Sequence, residues 1–496
     1  MSEHVLIVAN AVKARMMEAD IEAKLIVSDQ LSYYVDGAEH TGRGKNQGWD
    51  GRTSFLEFST GIFPAGFLAS AVDKLRQEGY QVTVRRKPLP APLGPSLMEA
   101  YAAVNPFDID PRYDYQPETV RRLEKYGAMI AQVATGGGKS MIARTAVKRI
   151  MRPTLFLTTR QVLMYQMKDG FEEAGFKVGV MGDGEWRPTR GVNVGMIQTL
   201  DARLSNPETM GATTKLLHMF EFCILEEAHE AGSETYFKVM NEMVNARYRL
   251  ALTATPFMRA DAEANMRLMG VSGQIGISIP EKMLIERNIL ARPIFQYRDV
   301  PPPKDLKQFY SWQKAYDIGV VKNDMRNADI VSRVEFARKL GLPVMILVQR
   351  KAHGVTLRDN CRKLGFTTEF IHGAHDNAQR QKALNRLKSG ETQVLIGSTI
   401  LDVGVDVPAV GMVILAGGGK AEVALRQRIG RGLREKKGGL PNICFVVDYN
   451  DIGNKYLKKH ARARRAIVEA TPGFAENILK KGQEFDALGL GFKLAA

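Results

Sequence analysis

The stretch Met129-Ile130-Ala131-Gln132-Val133-Ala134-Thr135-Gly136-Gly137-Gly138-Lys139-Ser140 decides how this chain is read. An apolar run, Met129–Val133, leads into a glycine-rich loop, and the loop opens a helix-like stretch, Met141–Ile150. A phosphate-binding loop requires that strand–loop–helix setting. Glycines let backbone N–H groups turn inward around phosphate oxygens, and a helix N-terminus adds a favourable dipole. Thr135, Gly136, Gly137 and Gly138 would form the cradle. Lys139 would neutralise the β and γ phosphates and Ser140 would hold Mg²⁺, so ATP and Mg²⁺ are the expected cofactors. Val133 stands where the common form of this loop has a further glycine.

Outward from the loop, short apolar runs alternate with helical stretches. Leu155–Leu157 precedes Val162–Glu173, and Phe222–Leu225 precedes Tyr236–Val244. Further on, Val344–Val348 precedes Val355–Leu364, Thr368–Ile371 precedes Ala378–Leu387, and Val394–Ile396, Met412–Leu415 and Ile443–Val447 follow. Such alternation argues for parallel sheets with crossover helices. Two blocks of it fit two α/β domains better than one large sheet. The chain has 496 residues, and at about 150 residues per domain that suggests roughly three domains. A break falls in Lys87–Pro95, where Pro88, Pro90, Pro92 and Pro95 cannot continue a helix or a central strand. A second candidate boundary, Pro301-Pro302-Pro303, follows an apparent strand near Pro293–Tyr297. The expected organisation is an N-terminal α+β domain over 1–87, a proline-rich linker over 88–112 and a first α/β domain over 113–285. A connecting segment over 286–330, a second α/β domain over 331–470 and a tail over 471–496 complete it.

Composition narrows the partners. The formal net charge is +15, which puts a polyanion first, with nucleic acid ahead of a membrane surface. Residues 1–100 hold 11 Lys/Arg against 12 Asp/Glu, so the whole excess lies beyond residue 100. Cys223, Cys361 and Cys444 are too few and too scattered for a disulfide framework or a zinc ribbon. No apolar run reaches the length of a membrane span, and the first 20 residues lack the pattern of a secretory signal. A cytoplasmic, monomeric protein is expected.

A phosphate loop needs an acid to hold Mg²⁺ and a base to orient the attacking water. The apolar run Phe222–Leu225 ends in Glu226-Glu227-Ala228-His229. Carboxylates at a strand's C-terminal end project into the crevice where α/β sheets bind ligands. Glu226 would face the metal and Glu227 the water. His229 would link the nucleotide to Thr253-Ala254-Thr255.

With these residues in place, the chain resembles the superfamily 2 helicases and translocases from about Tyr113 to Asp448. Thr135–Ser140 matches motif I and Glu226–His229 motif II. Gln116 resembles the family's adenine-reading glutamine, and Leu252–Pro256, with Thr253 and Thr255, resembles motif III. Leu157–Arg160 and Gly195–Thr199 are similar to motifs Ia and Ib, and Leu347–Arg350 to motif IV. Ser398–Pro408 matches motif V and Gln427–Arg434 motif VI. The resemblance implies two tandem RecA-like parallel-sheet domains. It implies phosphate contacts from Thr159, Arg160, Gln198, Thr199, Arg350, Ser398 and Thr399. It implies nucleotide contacts from Gly404 and Asp406, and coupling through Gln427 and Arg428. Arg431 and Arg434, three apart and so on one face of a helix, would act as arginine fingers, with hydrolysis requiring domain closure. One departure stands out: the family has Asp where this chain has Glu226, one methylene longer.

The N-terminal segment Asn46–Arg52, with Phe55–Phe58 and Ile62–Leu68, resembles the small α+β domain of UvsW-type phage recombination helicases. A helix over Ala69–Glu78 and a strand over Tyr80–Val84 are expected to follow. Arg52 is a candidate DNA contact, although a Trp49 packed on Arg52 in a structural role is the stronger expectation. The resemblance implies DNA helicase action on branched or double-stranded DNA: Holliday-junction branch migration, fork regression, or unwinding of RNA–DNA hybrid in R-loops. The alternatives are the motor of a restriction-type system, an RNA helicase, and a DNA-binding scaffold without catalysis. The basic run Lys455–Arg465 would grip phosphate or form a plain solvated helix face.

Overall fold

A computed structural model describes residues 4–35, 38, 49–105, 109–228, 233–257, 261–398, 410–418, 429–430, 433–436 and 439–494. The chain forms two compact units, Met1–Val133 with Gly138–Ile279, and Ala134–Gly137 with Pro280–Ala496. No helix among the described residues is long and apolar enough to cross a membrane.

The first unit begins with β1 (His4–Ala9), β2 (Lys13–Glu18), β3 (Ser32–Tyr34), β4 (Arg52–Ser54), β5 (Ile62–Pro64) and β6 (Gln81–Arg86). Four of them form a sheet in the order β5-β2-β1-β6, and β3 and β4 pair as a hairpin. Alternation places Val5, Ile7, Ala14 and Met16 on the buried face, against the helices Ile21–Gln30 and Leu68–Gln77. Asp20 caps the first of these helices by accepting from Ala23 N at 2.6 Å, a contribution of about 1 kcal/mol.

The proline-rich segment is laid along the following sheet rather than hanging free. Leu93 N donates to Ile150 O at 3.0 Å, the Tyr248 hydroxyl to Pro90 O at 2.7 Å, and Arg152 Nη2 to Ala91 O at 2.7 Å. Prolines lack donors but keep their carbonyls, and the neighbouring side chains use the carbonyls of Pro90 and Ala91.

The main sheet of this unit contains β7 (Ala128–Val133), β8 (Thr154–Thr158), β9 (Val178–Gly182), β10 (Glu185–Arg187), β11 (Val192–Met196), β12 (Phe222–Glu226), β13 (Tyr248–Thr253) and β14 (Ile275–Ile279). Its order is β10-β9-β11-β8-β12-β13-β7-β14, parallel except for β10. Every residue of β8, β12 and β13 is buried, as expected of central strands covered on both faces.

The second unit carries β15 (Arg292–Arg298), β16 (Val344–Leu347), β17 (Thr368–Ile371), β18 (Val394–Gly397), β19 (Met412–Ile414) and β20 (Ile443–Tyr449). All pair in parallel, in the order β15-β20-β19-β16-β18-β17. Two features differ from a plain connector and tail. The segment 286–330 supplies an edge strand, β15, aligned with β20 over seven residue pairs from Arg292↔Ile443 to Arg298↔Tyr449. Phe485 and Phe492 of the tail enter the core formed by Ile346, Ile414 and Phe445, each contributing about 1.5–3 kcal/mol of burial.

Candidate functional site

The glycine loop follows β7 and ends at Gly138, which caps the helix Lys139–Ile150 with no side-chain hydrogen bond. A glycine N-cap has no side chain to place over the helix N-terminus, whose N–H groups and dipole suit an anion. Gly136 and Gly138 hold φ of +87° and +80°, a region costly for residues with a Cβ. A Cβ on Gly138 would lie 2.3 Å from Gln116 Nε2. Gln116, on the helix Tyr115–Tyr126, is only 3% exposed, and its Oε1 accepts the Tyr101 hydroxyl at 3.1 Å. The residue expected to read adenine is thus packed behind the loop and steadied by Tyr101. Sequence reading missed Tyr101; the signal near it was the capping box Ser96–Glu99, which starts its helix.

Glu226 is the last residue of β12 and is buried. Its Oε2 finds no hydrogen-bond partner among the described residues. Burial pushes this carboxyl up to about 8, the Lys139 ammonium pulling it down and Glu227 raising it further. Lys139 and Glu226 therefore sense each other across the sheet's C-terminal edge. A buried carboxylate oxygen without a donor is costly, and a hydrated cation would satisfy it, so the residues fit Mg²⁺. Glu227 takes φ +49°, a left-handed conformation costing on the order of 1 kcal/mol in a non-glycine residue. This kink turns the chain immediately after Glu226. His229 lies outside the described residues. β13 runs between β12 and β7, pairing Leu252 with Glu226 and Thr253 with Gln132. Thr253 and Thr255 are both buried, and Thr255 N donates to Thr253 Oγ1 at 3.2 Å. The segment expected to couple nucleotide to nucleic acid thus follows the strand between β12, which ends in the acid, and β7.

The expected phosphate contacts of the first unit come together because β8 and β11 are neighbours, with Thr158 opposite Met196. Arg160 N donates to Thr158 Oγ1 at 3.1 Å, and Gln198 Nε2 donates to Thr159 O at 3.4 Å. Arg160 and Gln198 are exposed; Thr159 and Thr199 are half-buried. In the second unit, Arg350 follows β16 and Ser398 follows the adjacent β18. Arg350 is exposed, with its guanidinium 5.9 Å from the Tyr316 ring. Thr399, Gly404, Asp406, Gln427, Arg428 and Arg431 lie outside the described residues.

Two expectations change. Arg434 is not helical: it is exposed and forms an isolated antiparallel bridge with Leu290, beside the bond from Ala291 N to Leu433 O at 2.6 Å. Pairing with the chain before β15 pulls this residue out of the helix on which it was to share a face with Arg431. Arg52 is bound by its own domain. It bridges Asp29 at 2.8 Å, and its guanidinium lies 5.5 Å from the Tyr34 ring, while the Trp49 indole donates to its backbone carbonyl at 2.7 Å. The arginine's aromatic neighbour is Tyr34, and Trp49 holds the turn.

Comparison with known proteins agrees with this arrangement. Residues 109–258 match the family model for the type III restriction enzyme res subunit, and residues 327–436 match that for the helicase conserved C-terminal domain. Helicase 22 of Sulfolobus islandicus filamentous virus is 26% identical over 244 residues, covering 46% of this chain and 43% of that protein. The DNA 3′-5′ translocase XPB2 of Sulfurisphaera tokodaii is 26% identical over 357 residues, covering 65% of this chain and 78% of its own length. The crystal structure of T4 UvsW aligns over 97% of this chain and 99% of that one, at 18% identity and a TM-score of 0.47. The chain thus spans less than half of the viral relative and most of the archaeal one. With a parallel sheet whose strand β12 ends in a carboxylate pair, a second parallel sheet after it in the chain, and the two family models matching residues 109–258 and 327–436 in that order, the chain belongs to the superfamily 2 helicases.

Proposed function

We propose that this chain is an ATP- and Mg²⁺-dependent DNA translocase that acts on branched DNA. The observation that carries the reading is the buried Glu226 carboxyl, donorless at Oε2 and within the field of Lys139 on the glycine loop. Lys139 and Glu226 together suit a metal-bound triphosphate. The neighbouring Thr159, Arg160, Gln198 and Thr199 offer backbone-level contacts that position a strand without reading its sequence. DNA as the polymer is supported by the name of XPB2, a DNA 3′-5′ translocase. The preference for branches is supported by the likeness of the N-terminal domain to that of recombination helicases, with that domain guiding DNA to the motor. RNA–DNA hybrid is a further substrate of the same kind, and a monomer suffices for it.

The deciding experiment measures ATP hydrolysis and strand separation on four-way junctions, forks, R-loops and linear duplex side by side. Stimulation by junctions and forks well above that by linear duplex supports the reading. Equal rates on all substrates refute the preference for branches, and no DNA-stimulated hydrolysis refutes the motor. The res-subunit match favours a second reading, linear translocation within a restriction-type assembly. It predicts processive movement on linear duplex with no gain from a junction.

A further inference from the structure

We infer that the second unit carries a stacking platform for single-stranded DNA, built from Phe309 and Tyr310 beside the basic helix Lys455–Glu469. The inference rests on the reading of this chain as a DNA motor and adds a contact outside the helicase motifs.

The segment after β15 folds onto that helix through its own small core of Leu306, Ala315, Tyr316, Val320, Val321 and Leu457. Asn454, at the helix N-cap and buried, donates through Nδ2 to the carbonyls of Lys307 at 3.0 Å, Gln308 at 3.2 Å and Tyr310 at 3.2 Å. These bonds fix the loop that displays Phe309, which is 78% exposed. The Phe309 and Tyr310 rings meet edge to face at 5.3 Å. Lys314 Nζ lies 3.9 Å from the centre of the Tyr310 ring. A rigid loop that holds a phenylalanine ring in water, next to a second ring and a cation, offers what unstacked bases bind.

Charge complementarity argues for a nucleic acid. Lys455, Lys458, Lys459 and Arg462 are exposed at spacings of three and four, so they form one stripe. The helix's acid, Glu469, is engaged by Arg465 at 2.8 Å. Arg464 faces the interior, paired with Asp448 at 3.0 Å and Asp451 at 3.2 Å, which locks the helix against rolling and fixes the stripe outward. Rings also connect this surface to motif IV. Trp312 lies 4.2 Å from the His460 ring and 5.2 Å from Tyr316, and Tyr316 lies beneath Arg350. Single strands are favoured over duplex because a duplex keeps its base faces stacked inside, away from Phe309.

The test uses the full chain without nucleotide and follows the anisotropy of labelled oligothymidine, a blunt hairpin duplex and oligouridine. Phe309→Ala should weaken oligothymidine binding about tenfold, the equivalent of about 1.4 kcal/mol, and leave the blunt duplex unchanged. Phe309→Trp should retain binding. The triple variant Lys458→Ala/Lys459→Ala/Arg462→Ala should lower the slope of log affinity against log salt by about two on oligothymidine. ATP hydrolysis in the absence of DNA should be unchanged in every variant. Parent-like oligothymidine binding by Phe309→Ala, or an equal loss on blunt duplex, overturns the platform. Tighter binding of oligouridine than of oligothymidine overturns its assignment to DNA. A parent that binds DNA without stimulated hydrolysis refutes the motor alone, because the Phe309 comparison does not depend on turnover.

Discussion

Neutralising Glu226 should make the nucleotide-free protein more stable while disabling it. The side chain is 7% exposed and its Oε2 has no donor among the described residues, so burial raises its carboxyl from 4.5 to about 8. Below pH 4.5 the group is protonated in both folded and unfolded chains. Between 4.5 and 8 the unfolded chain releases the proton and the folded chain keeps it, so folding stability falls as pH rises, and above 8 the penalty is complete. At about 1.36 kcal/mol per pH unit the ceiling is roughly 5 kcal/mol, and relaxation of the surroundings around the charge brings the expected penalty to about 2 kcal/mol. Glu226→Gln keeps the volume and removes the charge. In EDTA and without nucleotide, the variant should match the parent near pH 5 and melt roughly 4–8 °C above it at pH 8.5, for a unit of this size. With Mg²⁺ and ATP its hydrolysis should fall roughly 100-fold. Calorimetry at the two pH values decides the matter. A variant that melts at or below the parent at pH 8.5, or gains equally at both pH values, refutes the account of a strained, unpaired acid.

Lys139→Ala should abolish hydrolysis and spare DNA binding in a filter or anisotropy assay, because the lysine meets phosphate and not the strand. His353 is fully buried with Nε2 3.0 Å from Asn327 Oδ1, and burial, with Arg326 nearby, lowers it to about 3. Its contribution is present above pH 6.5 and lost as pH falls toward 3, so by pH 5 it should cost about 2 kcal/mol; His353→Gln should flatten that part of the denaturant midpoint's pH dependence. Arg464→Met would leave Asp448 and Asp451 buried beside a lost partner, and should destabilise the second unit by about 3–5 kcal/mol in a thermal melt.

Sequence made the central strands legible because buried parallel strands are apolar throughout, as in Phe222–Leu225 and Ile443–Val447. Others escaped for specific reasons. Gly179 and Gly182 break up β9, and Gly276 interrupts β14, so neither reads as a sustained run. β2 carries Lys13, Arg15 and Glu18, and its buried face is only Ala14 and Met16. Of the candidate site, what is contiguous in sequence was readable: the glycine loop and the carboxylate pair. What depends on distant partners was not. Arg52 is claimed by Asp29, 23 residues away, Gln116 meets Tyr101, 15 residues away, and Arg434 is drawn into a bridge with Leu290.

The basic excess shows the same limit and sharpens what faces DNA. Arg326 and Arg464 are interior groups that share Asp451, and Arg464 also binds Asp448. They cancel in net charge and offer nothing to phosphate. Among the described residues, Arg249 hydrogen-bonds backbone carbonyls and no acid. It is the second residue of β13, 3% exposed, donating to the carbonyls of Ala246, Val271, Met240 and Met243. Met240 is in the last turn of the helix Glu234–Asn241, Met243 follows its end, and Val271 is in the last turn of Ala262–Ser272. Those carbonyls carry the negative end of each helix dipole, so they hold the guanidinium charge inside the fold even though burial lowers Arg249 to about 10. Counting cations therefore misplaces the electrostatic footprint. Exposed, same-sided groups such as Lys458, Lys459 and Arg462 set the salt dependence of DNA binding, and removing Arg249 would lower the net charge by the same amount as removing one of them while changing that dependence little.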